Sequence, residues 1–240
     1  MTPNRSARNE RVLDNVAWHA LTTVQAEFAQ TVGAAARFDP DVSVFAGLAD
    51  DGEQAWADLA ALVGPGGVAV LFGGEVPGTA PAGWPVHATG VGHQMVLDEL
   101  APVTLPDSRP LGPEDVEAMT ELVELAQPGP FRPRTIELGD YHGVVEDGRL
   151  VAMAGERQKL PGFTEISAVC THPDARRRGL GAAMTAQVAQ GILDRGETPF
   201  LHLTDDNHPA RRVYEALGFR FRREVRILVT GPPRPRRHAI

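Results

Sequence analysis

The segment Arg176-Arg177-Arg178-Gly179-Leu180-Gly181 sets three guanidinium groups and two glycines at the expected start of a long helix. A helix start presents unpaired backbone N–H groups and the positive end of the helix dipole, and both attract phosphate. Gly179 and Gly181 carry no side chain to hold an anion at a distance, and the arginines add fork-shaped donors. The combination predicts a pyrophosphate site. Two other phosphate loops do not fit. The only lysine is Lys159, and no Gly-x-x-x-x-Gly-Lys-Ser/Thr element occurs. The dinucleotide spacing Gly-x-Gly-x-x-Gly fails because Met184 stands third after Gly181.

Charge distribution points the same way. The net charge is −8, yet from Arg176 onward thirteen arginines, no lysine and six acids give +7, so residues 1–175 carry −15. A compact polyphosphate suits that asymmetry. A nucleic acid does not, because a protein acidic overall would be repelled by a long phosphate backbone. The single cysteine, Cys170, excludes an intrachain disulfide and a cysteine-based zinc cluster. His202 and His208 have no Glu or Asp partner at ligand spacing, so no metal is expected. Cys170 and His172 lie two apart and share a strand face, the geometry a covalent acyl-cysteine would need, but sharing a face is not contact. No apolar run is long enough to cross a bilayer, and residues 1–6 lack the apolar centre of a secretory signal. The expectation is a cytoplasmic protein with no membrane partner.

The elements that must position these residues are read from periodicity. A helix is expected over 18–32, from Trp18, Leu21, Val24, Phe28 and Val32, and a second over 53–63, stopped by Gly64-Pro65-Gly66-Gly67. Strands are expected over 68–72 and 93–97, with Gly/Pro-rich loop over 73–85 and a connection over 102–110. Gly112-Pro113-Glu114-Asp115 opens a helix with Val116, Met119, Leu122, Val123 and Leu125 inward. Strands over 141–145 and 150–156 flank an Asp147-Gly148 hairpin turn. There follow a strand over 163–171, the long helix over 179–195, a strand over 199–203, a helix over 209–217 and a strand over 219–229. Arg220, Arg222, Arg223 and Arg226 on that last strand read as a solvated basic face.

The order gives a mixed α/β fold, a sheet flanked by helices, preceded by a smaller α/β lobe. The expected division is a flexible start at 1–10, an N-terminal α/β lobe at 11–105, a second domain at 106–230 and a flexible basic tail at 231–240. The lobe carries no chemical motif.

Arg176-x-x-Gly179-x-Gly181 after a strand and Pro173, followed by Asn207-x-x-Ala210-x-x-x-Tyr214-x-x-x-Gly218-Phe219, resembles the signature of the GNAT-type N-acyltransferases. The resemblance covers roughly residues 111–229, and the run Phe163-Thr164-Glu165-Ile166-Ser167-Ala168-Val169-Cys170 is similar to the branch related to glycine N-acyltransferases. One departure is Arg177, where the family often has glycine. The resemblance implies that acetyl-CoA, or another acyl-CoA, donates its acyl group directly to a small amine. It implies that the strand before the loop splays from its neighbour, so that Val169, Cys170 and Thr171 meet the pantetheine arm through the main chain. Phosphates would lie across Arg176, Arg177, Arg178, Gly179, Leu180, Gly181 and Ala182. Asn207 and Ala210 would hold the pantetheine chain, although Asn207 is equally suited to cap its helix. Tyr214 would protonate the leaving thiolate. Glu165 matches a strand position where some members place a base, and a salt-bridging glutamate is the other reading. Such an enzyme would act as a monomer or a homodimer. The alternative is a CoA-binding regulatory module without catalysis.

Overall fold

The computed structural model describes residues 10–233. The expected flexible ends lie mostly outside the described residues. Contacts group the chain into two compact units that do not follow the linear division at residue 105. Residues 41–43 and 93–223 belong to one, and residues 10–40, 44–92 and 224–233 to the other.

The larger unit holds α3 (Val116–Ala126), α4 (Leu180–Asp194), α5 (His208–Ala216) and strands β5 (Val86–Leu97, from His93), β6 (Arg109–Pro110), β7 (Tyr141–Glu146), β8 (Arg149–Leu160), β9 (Phe163–Thr171), β10 (Thr198–Thr204) and β11 (Phe219–Thr230, to Arg223). Its strand order is β11-β5-β10-β9-β8-β7-β6. β6 to β9 pair antiparallel, whereas β9 and β10, joined through α4, pair parallel. The β7–β8 turn places Asp147 and Gly148 at φ 51° and 77°, the two left-handed residues that a tight hairpin requires.

Two cores serve this sheet. Under α4 lie Met184, Ala186, Val188, Ala189 and Ile192 against Val144, Val151, Ile166 and Leu201. Small residues on the inner face of α4 let the helix sit close to the strands. A separate cluster joins Met119, Leu122 and Val123 of α3 to Tyr141, Met153 and Cys170. Leu125, expected inward on α3, is exposed, because it stands about 120° round the helix from Met119 at 100° per residue.

The smaller unit contains α1 (Val16–Thr22), α2 (Glu53–Val63), β1 (Ala29–Val32), β2 (Ala35–Phe38), β3 (Phe45–Leu48), β4 (Ala69–Gly73) and the end of β11, in the order β1-β2-β3-β4-β11. The helix expected over 18–32 stops at Thr22. Thr22 and Thr23 turn their hydroxyls back onto the carbonyls of Trp18 and His19, and the β-branched run Thr22-Thr23-Val24 is a poor helix former. Phe28 then ends a 3-10 turn and Val32 ends β1. No helix among the described residues is long and apolar enough to cross a membrane. The mixed α/β class expected from the element order holds.

Candidate active site

A fork in the sheet creates the site. β9 and β10 pair through Phe163, Thr164, Glu165 and Ile166 on one strand and Thr198, Pro199, Phe200 and Leu201 on the other. Beyond Ile166 and Leu201 both strands run on without pairing to each other, so their facing backbone groups are left for another partner. Just past the fork β9 bulges. Ser167 faces Gly155 and Cys170 faces Met153, so Ala168 and Val169 together oppose Ala154, and Ala168 adopts φ 51°. After the bulge Val169 and Thr171 line a cavity, whereas Cys170 turns into the α3 core.

That cavity, about 340 Å³, is lined by Val169, Thr171, Ala175, Arg176, Arg177, Gly179, Leu180, Gly181, Ala182, Asn207, Ala210, Val213 and Tyr214. The structure thus brings together almost every residue the sequence singled out for phosphate and pantetheine. Gly179, the N-cap of α4, stands at φ 79° with open space where a Cβ would be. A Cβ on Gly181 would project among Thr171 Oγ1 and Val169 Cγ1 at 3.7 and 4.0 Å, narrowing the space over the helix start. The first N–H groups of α4 have no carbonyl four residues back, so an anion there meets free donors. These features fit the pyrophosphate and pantetheine arm of a CoA thioester.

The three arginines differ in place. Arg176 and Arg177 line the cavity. Arg177 takes φ 62°, the conformation that suits the glycine it replaces. Arg178 turns to β7 and grips Glu146 with two bonds of 2.9 and 2.6 Å, anchoring the loop. Asn207 caps α5, its Oδ1 accepting from the Ala210 N–H at 3.2 Å, and also lines the cavity. Tyr214 completes the wall, and burial, with the Cys170 thiol a smaller influence, pushes its phenol up to about 12. It is therefore a neutral hydroxyl that can donate.

Glu165 and Cys170 do not reach this wall. The Cys170 thiol is pushed up to about 12 by burial, and His172 Nδ1 accepts from the Asp174 N–H, so the two form no nucleophilic pair. Glu165 is wholly buried. Its oxygens accept from Arg157 Nε and Nη2 at 3.0 and 2.6 Å, Gln158 Nε2 at 3.2 Å and His202 Nδ1 at 2.7 Å. Burial, the largest influence, would raise this carboxyl. Arg157 and His202 outweigh it and hold Glu165 well below the usual carboxylate range. His202 in turn lies 3.0 Å from Gln94 Nε2, and Arg222 Nη1 donates to Gln94 Oε1 at 2.7 Å. His202, expected only as a metal-ligand candidate, and Arg222, expected on a solvated face, instead share Gln94 as a hydrogen-bond partner. The available signal was His202 inside the apolar run Phe200-Leu201-His202-Leu203 of β10, whereas Arg222 alternates with Phe219 and Phe221 and carries no such mark.

Several known proteins resemble this chain. The family model described as FR47-like protein matches residues 141–228. A GNAT-family structure from Novosphingobium aromaticivorans is 37% identical, covers 92% of this chain and 98% of its own, and superposes with a TM-score of 0.84. A GCN5-related N-acetyltransferase from Kribbella flavida, 22% identical over 92% of this chain and 96% of its own, shares the fold with a TM-score of 0.59. A mycothiol acetyltransferase from Thermomonospora curvata is 33% identical over 88 residues, which are 36% of this chain and 29% of that protein. The match therefore spans less than a third of that relative.

Proposed function

Because this chain belongs to the GNAT family of acetyltransferases, we propose that it moves the acetyl group of acetyl-CoA, or the acyl group of another acyl-CoA, directly to the amine of a small molecule. The observation that carries this reading is the junction of the β9–β10 fork with the glycine-rich start of α4 in one cavity. The pyrophosphate would lie on the first N–H groups of α4 with Arg176 and Arg177 beside it. The pantetheine arm would enter the fork along Val169, Cys170 and Thr171, with Asn207 and Ala210 against it. The likeness of residues 163–170 to the glycine N-acyltransferase branch supports a small acceptor.

Chemistry then follows from the groups at hand. A neutral amine attacks the thioester carbonyl, and a main-chain N–H in the unpaired part of β9 meets the negative charge that grows on oxygen. As the C–S bond breaks, Tyr214 donates to the departing sulfur. A free thiol has a pKa of about 8.5 and the phenol lies far above it, so full transfer is uphill and the phenol must recover a proton promptly. Attack leaves one proton too many on the new amide nitrogen, and that proton returns to Tyr214 through solvent. Counted from the neutral amine, the products are one amide and one CoA thiol with no net proton released; an amine that arrives as an ammonium releases its extra proton before it attacks.

Two measurements test the reading. Acetyl-CoA at a hundredfold excess over its dissociation constant should stabilise the fold by about 2.7 kcal/mol. A folded protein whose unfolding midpoint is unmoved by acetyl-CoA, CoA and longer acyl-CoAs would remove the donor assignment. Tyr214→Phe should keep acetyl-CoA binding and lose about a hundredfold or more in thiol release across an amine panel. Unchanged turnover would take the proton-donor role from Tyr214.

A further inference from the structure

Backbone pairing between β9 and β10 ends with Ile166 and Leu201, and a row of side chains centred on Glu165, the last residue but one of the paired stretch, crosses the sheet at that end. Arg157 on β8, Glu165 on β9, His202 on β10, Gln94 on β5 and Arg222 on β11 form an unbroken chain of polar contacts. Its middle members are buried. The Glu165 side chain is 0% exposed and that of His202 is 4%. None of the five lines the donor cavity.

The row has one polarity. A guanidinium can only donate, so Arg222 fixes Gln94 with its carbonyl oxygen toward the arginine and its NH2 toward His202. His202 Nε2 must then accept, which leaves the ring neutral with its proton on Nδ1, aimed at Glu165. Burial favours the same neutral ring. Glu165 is left to accept from every side. Four donors occupy the roughly four lone-pair positions a carboxylate offers, so no position is left for an acceptor's ammonium or a water. A carboxylate held so firmly ionised is also a weak base.

We propose that Glu165 and His202 are positioning residues. With Arg157, Gln94 and Arg222 they form a side-chain tie that replaces the missing backbone ladder and fixes the width of the β9–β10 fork. The fork width sets how the unpaired part of β9 meets the pantetheine arm, and so where the thioester carbonyl lies relative to Tyr214. The proton of the acceptor then leaves by a route that does not pass through Glu165. This rests on the acyl-CoA reading above, since the fork is taken as the pantetheine slot.

The test uses the full chain and two probes, acetyl-CoA and hydroxylamine, a small nucleophile already neutral above about pH 7 that needs no base. Glu165→Gln removes the charge at the centre of the row. Gln94→Leu breaks the row at an uncharged link and keeps the protein folded if the first variant leaves Arg157 too poorly compensated to fold. Calorimetry should show acetyl-CoA bound about three- to tenfold more weakly by both variants. Acetyl-CoA-dependent thiol release should fall by a similar factor with hydroxylamine and with a protonated primary amine such as glycine ethyl ester, and the pH profile should keep its shape. Affinity unchanged in both variants would overturn the proposal. So would a Glu165→Gln enzyme that keeps full activity toward hydroxylamine while losing it toward the protonated amine, because that pattern belongs to a base. Failure of the wild-type chain to bind acetyl-CoA is a different result and strikes the donor assignment itself.

Discussion

Gly181→Ala should raise the stability of the free protein and lower its affinity for the donor, so that the order of the two unfolding midpoints reverses when acetyl-CoA is added. Gly181 is the second residue of α4, and a Cβ there meets only ordinary contacts at 3.7 and 4.0 Å. Alanine in place of a helical glycine is worth about 0.5–1 kcal/mol, which for a chain of this size moves the midpoint up by about 1–4 °C. The same methyl occupies the space over the helix start where the pyrophosphate is proposed to lie. If it weakens binding tenfold, a concentration that is about a hundred times the wild-type dissociation constant is only about ten times that of the variant. Ligand stabilisation then drops from about 2.7 to about 1.4 kcal/mol. The gain of about 0.7 kcal/mol from the helix and the loss of about 1.3 from the ligand leave the variant about 0.6 kcal/mol behind in saturating acetyl-CoA. Differential scanning fluorimetry with and without acetyl-CoA reads both numbers in one plate. A variant that is more stable without ligand and gains as much from acetyl-CoA as the wild type would refute the placement of the phosphates at the start of α4.

Three further outcomes are expected. Arg177→Gly relieves a left-handed arginine at φ 62°, which costs about 1–2 kcal/mol, against the extra freedom glycine gains when unfolded; a midpoint raised by a degree or two with a smaller acetyl-CoA shift is expected, and a lowered midpoint would count against strain at this position. Gly155→Ala drives a methyl into the ring of the fully buried Tyr141, and chemical denaturation should show a loss of about 1–3 kcal/mol or failure to fold. Asp115, held at about 2 chiefly by its hydrogen bond to Arg109, has a folded value below its unfolded one, so its contribution is present above about pH 4 and is lost as pH falls through about 2. The stability gap between wild type and Asp115→Asn should therefore be constant near neutral pH and close across that acid window.

What could be read from the sequence was what is local in it. The Asp147-Gly148 turn, the span of β9 and the glycine-marked start of α4 depend on residues adjacent in the chain, and the structure has them where expected. β4 of the smaller unit lies within a residue of the strand expected over 68–72, but β2 and β3 escaped because their residues do not alternate. Ala35-Ala36-Arg37-Phe38 and Phe45-Ala46-Gly47-Leu48 are too short and too rich in small residues to carry a period of two. Their composition answers to packing instead, since a Cβ on Gly47 would run into the backbone of Trp18 on α1. The row from Arg157 to Arg222 was hidden for the opposite reason. Its members come from five strands spread over residues 94 to 222, and only the sheet order makes them neighbours.

Charge counting has the same limit at the donor loop. Three consecutive arginines look equivalent in a string, and their sum argues for a polyphosphate. In the fold, Glu146 takes Arg178 away from the cavity and Arg177 reaches it only through a backbone conformation that glycine would adopt at no cost. Arg176, extended and unstrained at the end of its 3-10 turn, is the arginine whose position is bought by neither strain nor a competing carboxylate. If phosphate binding is what the loop is shaped for, Arg176→Ala should cost more acetyl-CoA affinity than Arg178→Ala. The latter should instead loosen the tie between the loop and β7. Equal losses at the two positions would mean that bulk charge, rather than the placement of each guanidinium, attracts the donor.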